Sequence, residues 1–256
     1  MQQSFRSTAL VSRLALAACG MTLLLSAVAA LAVEEAPAQQ APSGDQTTAP
    51  ADPPEAPEPL PLTIKWTKLF DGKSLKGWEA TDFGGEGAVI IKDGNLVIEE
   101  GQPLSGVTWK GLALPTVDYE VRLEAQRVQG TDFFVALTFP VEDEFCSLVL
   151  GGWGGGVTGI SSIDSFDASE NSTTSYAEFE NGKWYKIRLR VTKTKVLVWL
   201  DDEQIIDLET TGKRLTTRIE VDANQPFGLA TFQTEAAYRN FEIRKLTDAE
   251  AAPKTE

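Results

Sequence analysis

The sequence contains no histidine. That excludes Ser-His-Asp and Cys-His catalysis and every zinc or iron site built on imidazole. Cysteine is nearly absent as well, with only Cys19 and Cys146 present. Cys19 falls in an apolar N-terminal run, which leaves Cys146 without an internal partner and rules out a disulfide framework. Cys146 lies in Phe145-Cys-Ser-Leu-Val-Leu150, where a buried, inert thiol is expected. Helical periodicity, heptads and internal repeats are missing between residues 64 and 246. Basic charge is scarce, 23 Lys and Arg against 37 Asp and Glu, for a formal charge of −14. So acidic a surface repels nucleic acid and anionic lipid and favours neutral or cationic partners. Chemistry is left to carboxylates, tyrosines, tryptophans, arginines and oxygen-bound metals.

Residues 1–32 carry no acid, two arginines (Arg6 and Arg13), and an uncharged run from Leu14 to Val33 that passes Ala30-Leu31-Ala32. A basic start, an apolar centre and small residues read as an export signal cut after Ala32. An uncleaved anchor and lipidation of Cys19 in Leu16-Ala-Ala-Cys19 are the rival readings, the first because about 20 apolar residues span a bilayer. In those two cases alone the chain would meet a membrane. The expected address is periplasmic, cell-surface or secreted. Loss of Arg6 and Arg13 with the signal would take the charge from −14 to −16. Residues 33–62 hold eight of the thirteen prolines and have almost nothing to bury, so they read as a disordered linker. The tail 247–256 reads the same way. Residues 63–246 remain, enough for one domain with a sizeable core.

In that domain apolar residues alternate with period two. Val89–Ile98 reads as a hairpin turning at Asp93-Gly94. Tyr119, Val121, Leu123 and Ala125 share one face of a strand; Tyr185, Ile187, Leu189 and Val191 share one face of another. Phe133–Phe139 and Phe145–Leu150 are apolar on both faces, as central strands of a sandwich are. Many short strands between turn signals predict an all-β sandwich of two antiparallel sheets, a jelly roll.

The segment Gly151–Tyr176 reads as one long loop, a length that in a compact domain signals function or disorder. It opens with Gly151-Gly-Trp-Gly-Gly-Gly156, which lacks the Lys-Ser/Thr of a phosphate loop. Trp153 there is either an exposed platform for the C–H face of a sugar ring or a plug at the sandwich edge. Asp164, Asp167 and Glu170 recur at three-residue spacing. With Asn171 they could ligate Ca²⁺, although the spacing is not that of an EF-hand. A solvated loop face is the plainer reading, and no cofactor is expected. Glu144, Asp164 and Asp167 are the candidate catalytic carboxylates, since glycoside cleavage needs two carboxyls across one bond. Arg122, Arg127 and Arg188 are read as outward from their strands, either as a solvated face that balances the acids or as donors to sugar hydroxyls; Trp153, Arg127, Arg188, Glu170 and Asn171 are the candidate ligand-binding residues. Trp66, Phe70, Trp78, Trp184 and Trp199 are read mostly as core or edge packing.

Four blocks in order carry a wider likeness: Trp66-Thr-Lys-Leu-Phe-Asp-Gly-Lys-Ser-Leu-Lys-Gly-Trp78, Asp118–Arg127, Lys183–Val191 with Val198-Trp-Leu-Asp-Asp202, and Tyr238–Leu246. Over roughly residues 64–246 they resemble the 3-keto-disaccharide hydrolase domain family, a group of concanavalin A-like jelly rolls. The resemblance implies a carbohydrate or glycoside ligand and a reaction on sugars oxidised at C3, in which a base starts an elimination that expels the aglycone. Family members usually carry an Asn-Ser-Gly-Ile-like strand followed by a Tyr-Glu-Val-Gln-like strand. The corresponding stretches here read Asp132-Phe-Phe-Val-Ala-Leu-Thr-Phe-Pro140 and Glu144-Phe-Cys-Ser-Leu-Val-Leu150, so no catalytic residue carries over. A non-catalytic carbohydrate-binding module and a laminin-G-like adhesion domain are the alternatives.

Overall fold

The computed structural model describes residues 57–252. The expected signal and most of the expected linker lie outside the described residues. Fifteen strands follow in chain order: β1 (Thr67–Lys68), β2 (Trp78–Ala80), β3 (Val89–Lys92), β4 (Asn95–Ile98), β5 (Leu104–Trp109), β6 (Tyr119–Gly130), β7 (Val135–Val141), β8 (Glu144–Gly151), β9 (Val157–Ser161), β10 (Ser175–Tyr176), β11 (Trp184–Val191), β12 (Lys195–Leu200), β13 (Glu203–Glu209), β14 (Gly228–Phe232) and β15 (Thr234–Lys245). They form two antiparallel sheets. One runs β13-β12-β11-β6-β15-β4-β3, with β1 also on β15; the other runs β10-β9-β8-β7-β14-β5-β2. The expected jelly-roll sandwich is the observed fold.

Period two explains the core. Tyr119, Val121, Leu123 and Ala125 of β6 and Tyr185, Ile187, Leu189 and Val191 of β11 all point inward and are buried. They meet Val135, Leu137 and Phe139 of β7 and Cys146, Leu148 and Leu150 of β8 in one apolar cluster. Burial pushes the Cys146 thiol well above its ordinary range, with the charge of Glu144 acting the same way, so the thiol is no nucleophile. In β15 a register shift between Arg239 and Glu242, with Asn240 at φ 52°, moves the inward set from Ala236 and Tyr238 to Phe241 and Ile243. The β3–β4 hairpin turns on Asp93 and Gly94, both at positive φ. At the β12–β13 turn the positive φ falls on Asp201 and not on Asp202.

Two tyrosine hydroxyls cross the sandwich. Tyr119 donates to the Pro140 carbonyl at 2.8 Å and Tyr238 to the Phe134 carbonyl at 2.5 Å. Neighbouring strands β6 and β15 thus hold both ends of β7.

Three readings of the sequence change. Gly151–Tyr176 is not one loop, because β9 lies within it and pairs with β8, turning through residues 152–155. The chain is engaged before residue 63: the Leu60 amide donates to the Ala113 carbonyl at 2.8 Å, and Leu62 is buried. It stays engaged after residue 246, where Thr247 and Glu250 form a capping box on a helical turn, Asp248–Ala251. Glu250 also accepts from Arg244 at 2.7 Å and Arg190 at 3.2 Å. These two arginines converge on Glu120 of β6, whose side chain is 2% exposed.

Two tests follow from this packing. Tyr238→Phe should cost about 1–3 kcal/mol, the loss of one buried hydrogen bond, read as a lower denaturant midpoint at unchanged m. The same change at exposed Tyr176 should cost almost nothing. The hydrogen bond from Arg244, helped by the Thr247 amide, holds the Glu250 carboxyl at about 2 against an ordinary 4.5. A depressed folded-state value gives stability that is present above the unfolded pKa and lost as pH falls toward the folded one. Glu250→Gln should therefore destabilise at neutral pH and flatten the acid limb between 4.5 and 2, measured by chemical denaturation across that range.

Candidate functional site

The outer face of the seven-stranded sheet carries small side chains where the inner face carries large ones: Ala136 of β7, Ser147 of β8, Ser161 of β9 and Ala230 of β14. That difference leaves a cleft of about 230 Å³ over β7, β8 and β9. Its floor is Ala136, Ser147, Val149 and Ser161, and its apolar walls include Leu104, Phe133, Val221 and Phe232. Phe133 and Phe232 pack with ring centroids 5.8 Å apart.

Trp153 stands at one side. The β8–β9 turn places it in the left-handed region, at φ 51° and ψ 49°, between glycines that take positive φ cheaply. For a tryptophan that conformation costs about 1–2 kcal/mol. The turn is pinned by Asp132, whose Oδ2 accepts the Gly154 amide at 2.8 Å while Oδ1 accepts the Phe133 amide at 2.7 Å. Gly155, at φ 115°, has no room for a Cβ, which would meet the Thr131 carbonyl at 2.6 Å. The Trp153 side is thus held by backbone geometry, and the residue stays 45% exposed. Trp153 is therefore not buried as a plug at the sandwich edge.

Arg218 stands beside it, its guanidinium carbon 5.8 Å from the Trp153 ring centroid. It bonds to Asp167 and takes Glu220 side-on, Nη2–Oε1 2.8 Å and Nε–Oε2 3.3 Å. The hydrogen bond to Glu220 raises the Arg218 pKa further, against burial and with the charge of Asp167. The same hydrogen bond lowers that of Glu220. Glu220 and Val221 lie on a 3-10 helix, Ile219–Asn224, that crosses the sheet face. Its buried end is fixed by Asn224, whose Nδ2 donates to Thr81 Oγ1 at 2.9 Å and to the Val107 carbonyl at 3.1 Å.

The other residues chosen from the sequence do not converge here. Asp167 sits behind Arg218 and accepts from Ser162 Oγ at 2.9 Å. Glu144 accepts the Leu215 amide at 2.8 Å; Asp164 accepts the Arg214 amide at 2.9 Å and lies 3.4 Å from Lys213 Nζ. Glu144 and Asp164 are thus both bonded to the segment 213–215, on adjacent backbone amides, while Asp167 is bonded to Arg218. Glu170 is exposed. Asn171 braces its own loop, donating to the carbonyls of Ile160, Phe166 and Asp167 and accepting from Thr173. Among the described residues, no three Asp, Glu or Cys side chains gather as a metal site requires. Arg127 is buried, not outward, because it has the parity of Tyr119 and Ala125. Its guanidinium bonds Asn181 and the Phe179 carbonyl, and burial lowers its pKa. Arg188 is outward but on the opposite sheet, stacked 3.6 Å from the Trp199 ring centroid. Trp66 and Trp184 are likewise half-buried under guanidiniums there, whereas Trp78 is in the core.

Residues 65–244 match the family described as 3-keto-alpha-glucoside-1,2-lyase-like domains. The chain belongs to that family. The 3-keto-alpha-glucoside-1,2-lyase-like match spans both sheets and every wall of the cleft. No curated protein matches the sequence. Among solved structures, the transglycosylase Crh5 in complex with NAG is 10% identical at a TM-score of 0.51, covering 76% of this chain and 88% of its own. The carbohydrate-binding module CBM66 of Bacillus subtilis is 14% identical at 0.42, with 66% and 96% covered. Domain 4 of AbnA, an arabinanase of Geobacillus stearothermophilus solved with arabinotriose, is 18% identical at 0.42, with 68% and 85% covered. At these identities the likeness is one of fold.

Asp132→Ala should release the Trp153 turn. Hydrogen exchange at the Gly154 amide should speed up by tenfold or more, equivalent to about 1.4 kcal/mol, while protection in the middle of β7 stays unchanged. Unchanged exchange at Gly154 would mean that the carboxylate does not hold the turn.

Proposed function

We propose that this domain binds a glycoside in the cleft of the seven-stranded sheet, with the sugar face on Trp153 and a ring oxygen toward Arg218. The observation that carries this reading is Trp153 itself, held in a costly backbone conformation and left 45% exposed beside a cation at a cleft with apolar walls. Strain kept at one exposed aromatic side chain points to use. A pyranose offers such a site an apolar C–H face and a polar rim. The family supports a sugar ligand. We further propose that the chain is exported, on the strength of the basic, apolar and small-residue pattern of residues 1–32.

A second reading, cleavage of 3-keto-glycosides, rests on the family and on the Arg218–Glu220 pair. Glu220 would take the C2 proton beside the ketone, and Arg218 would face the enolate oxygen. The electron pair from C2–H forms the C1–C2 double bond as the C1–O bond breaks, and the departing aglycone takes a proton from water. Against it, Arg218 holds Glu220 ionised and weakens it as a base, and Asp132, the cleft's other acid, accepts two backbone amides. Binding is the reading the geometry favours.

The protein would be titrated with 3-keto-glycosides and their unoxidised parents, following tryptophan fluorescence and released aglycone. Saturable binding that Trp153→Ala weakens about tenfold, a loss of about 1.4 kcal/mol, is the expected result. Binding untouched by that change would move the site elsewhere. Aglycone release from keto forms alone, abolished by Glu220→Gln, would establish the lyase.

A further inference from the structure

The outward face of the eight-stranded sheet is built differently from the cleft. One cross-strand row reads Lys68 on β1, Glu242 on β15, Arg122 on β6, Arg188 on β11 and Trp199 on β12, each the register partner of the next. Arg122 stands directly opposite Arg188, a pairing of like charges that destabilises a sheet. The local anions relieve it unequally. Arg122 reaches Glu242 at 2.6 Å. Among the described residues Arg188 reaches only Glu120, at 3.5 Å, and Glu120 is already taken by Arg190 at 2.6 Å and Arg244 at 3.0 Å. Both guanidiniums lie on rings, Arg188 at 3.6 Å from the Trp199 centroid and Arg122 at 4.2 Å from that of Trp66. Stacking fixes each plane before any ligand arrives, and a planar fork suits a carboxylate.

Between them runs a groove of about 510 Å³, lined by Lys68, Arg122, Lys186 and Arg188 and by Glu124, Asn240, Asp201 and Glu242. Among the described residues, neither Lys68 nor Lys186 makes an ion pair within 4.0 Å. Glu124 is engaged by Arg239 at 2.8 Å and Asn240 at 2.8 Å. On a chain of formal charge −14, a groove with more cations than acids is a local exception. Its three carboxylates repel a polyanion and accept hydroxyl groups. Its cations favour one oxyanion.

We propose that this groove is a second saccharide site, specific for a sugar bearing a carboxylate, a uronic acid residue of an acidic glycan. The carboxylate lies across the facing Arg122 and Arg188, and the sugar hydroxyls donate to Glu124 and Asp201. The site is independent of the cleft at Trp153.

The test is calorimetric titration of the whole protein with trigalacturonate, with its neutral methyl ester, and with a sulfated galactose oligosaccharide. Trigalacturonate should bind at low salt, weaken several-fold in high salt, and exceed the ester and the sulfated sugar by tenfold or more. Arg122→Gln with Arg188→Gln should lower the affinity tenfold or more at an unchanged fold, checked by circular dichroism. Lys186→Gln, which breaks no ion pair, should lower it several-fold, so the test survives if the double variant fails to fold. Trp153→Ala should leave it unchanged. No binding of trigalacturonate, equal binding of the ester, tighter binding of the sulfated sugar, or loss only on Trp153→Ala would each overturn the proposal.

Discussion

Two hydroxyls set the relation of the sheets. Tyr119 and Tyr238, on adjacent strands, each cross an apolar core to a carbonyl at an end of β7. Hydrophobic burial brings the layers together without choosing a register, because it is non-directional. A buried hydroxyl must find its acceptor or lose the desolvation cost of both groups, so these bonds choose one. Strand β7 also supplies Ala136 to the cleft floor and follows directly on Asp132 and Phe133 of its wall. The outer face therefore takes its position from contacts made on the inner one.

Charge is distributed unevenly over this scaffold. The chain is acidic overall, yet its arginines are concentrated. Arg218 binds two segments at the cleft. Arg122, Arg188, Arg190, Arg239 and Arg244 lie across the outward face of the other sheet, held by Glu120, Glu124, Glu242 and Glu250 and by three tryptophans. Glu120 can be buried because three guanidiniums, those of Arg188, Arg190 and Arg244, meet it there, a condition that buried carboxylates require.

Much of the fold was legible because period two is a direct record of which face is buried. The inward sets of β6 and β11 and the two-sided apolar β7 and β8 could be read residue by residue. The same parity, carried one step further along β6, would have placed Arg127 inward. Strand β9 was hidden by glycines and serines on either side. The site was less legible. Trp153 was visible as an aromatic among glycines. Arg218, Glu220 and Asp132 carried no local signal, since their roles come from a 3-10 helix laid over the sheet and an amide bonded across the β8–β9 turn. For Glu144 and Asp164, spacing along the chain does not record that each carboxylate's partner is a backbone amide 50 or more residues away.

The cleft over β7, β8 and β9 is the proposed seat of the sugar. A crystal structure of the protein with a bound glycoside tests it most directly. The expected result is a pyranose ring stacked on Trp153 with an oxygen within hydrogen-bonding distance of Arg218, and Asp132 still accepting the Gly154 amide. A saccharide lodged instead beside Glu144 and Lys213, with the Trp153 ring bare, would contradict it.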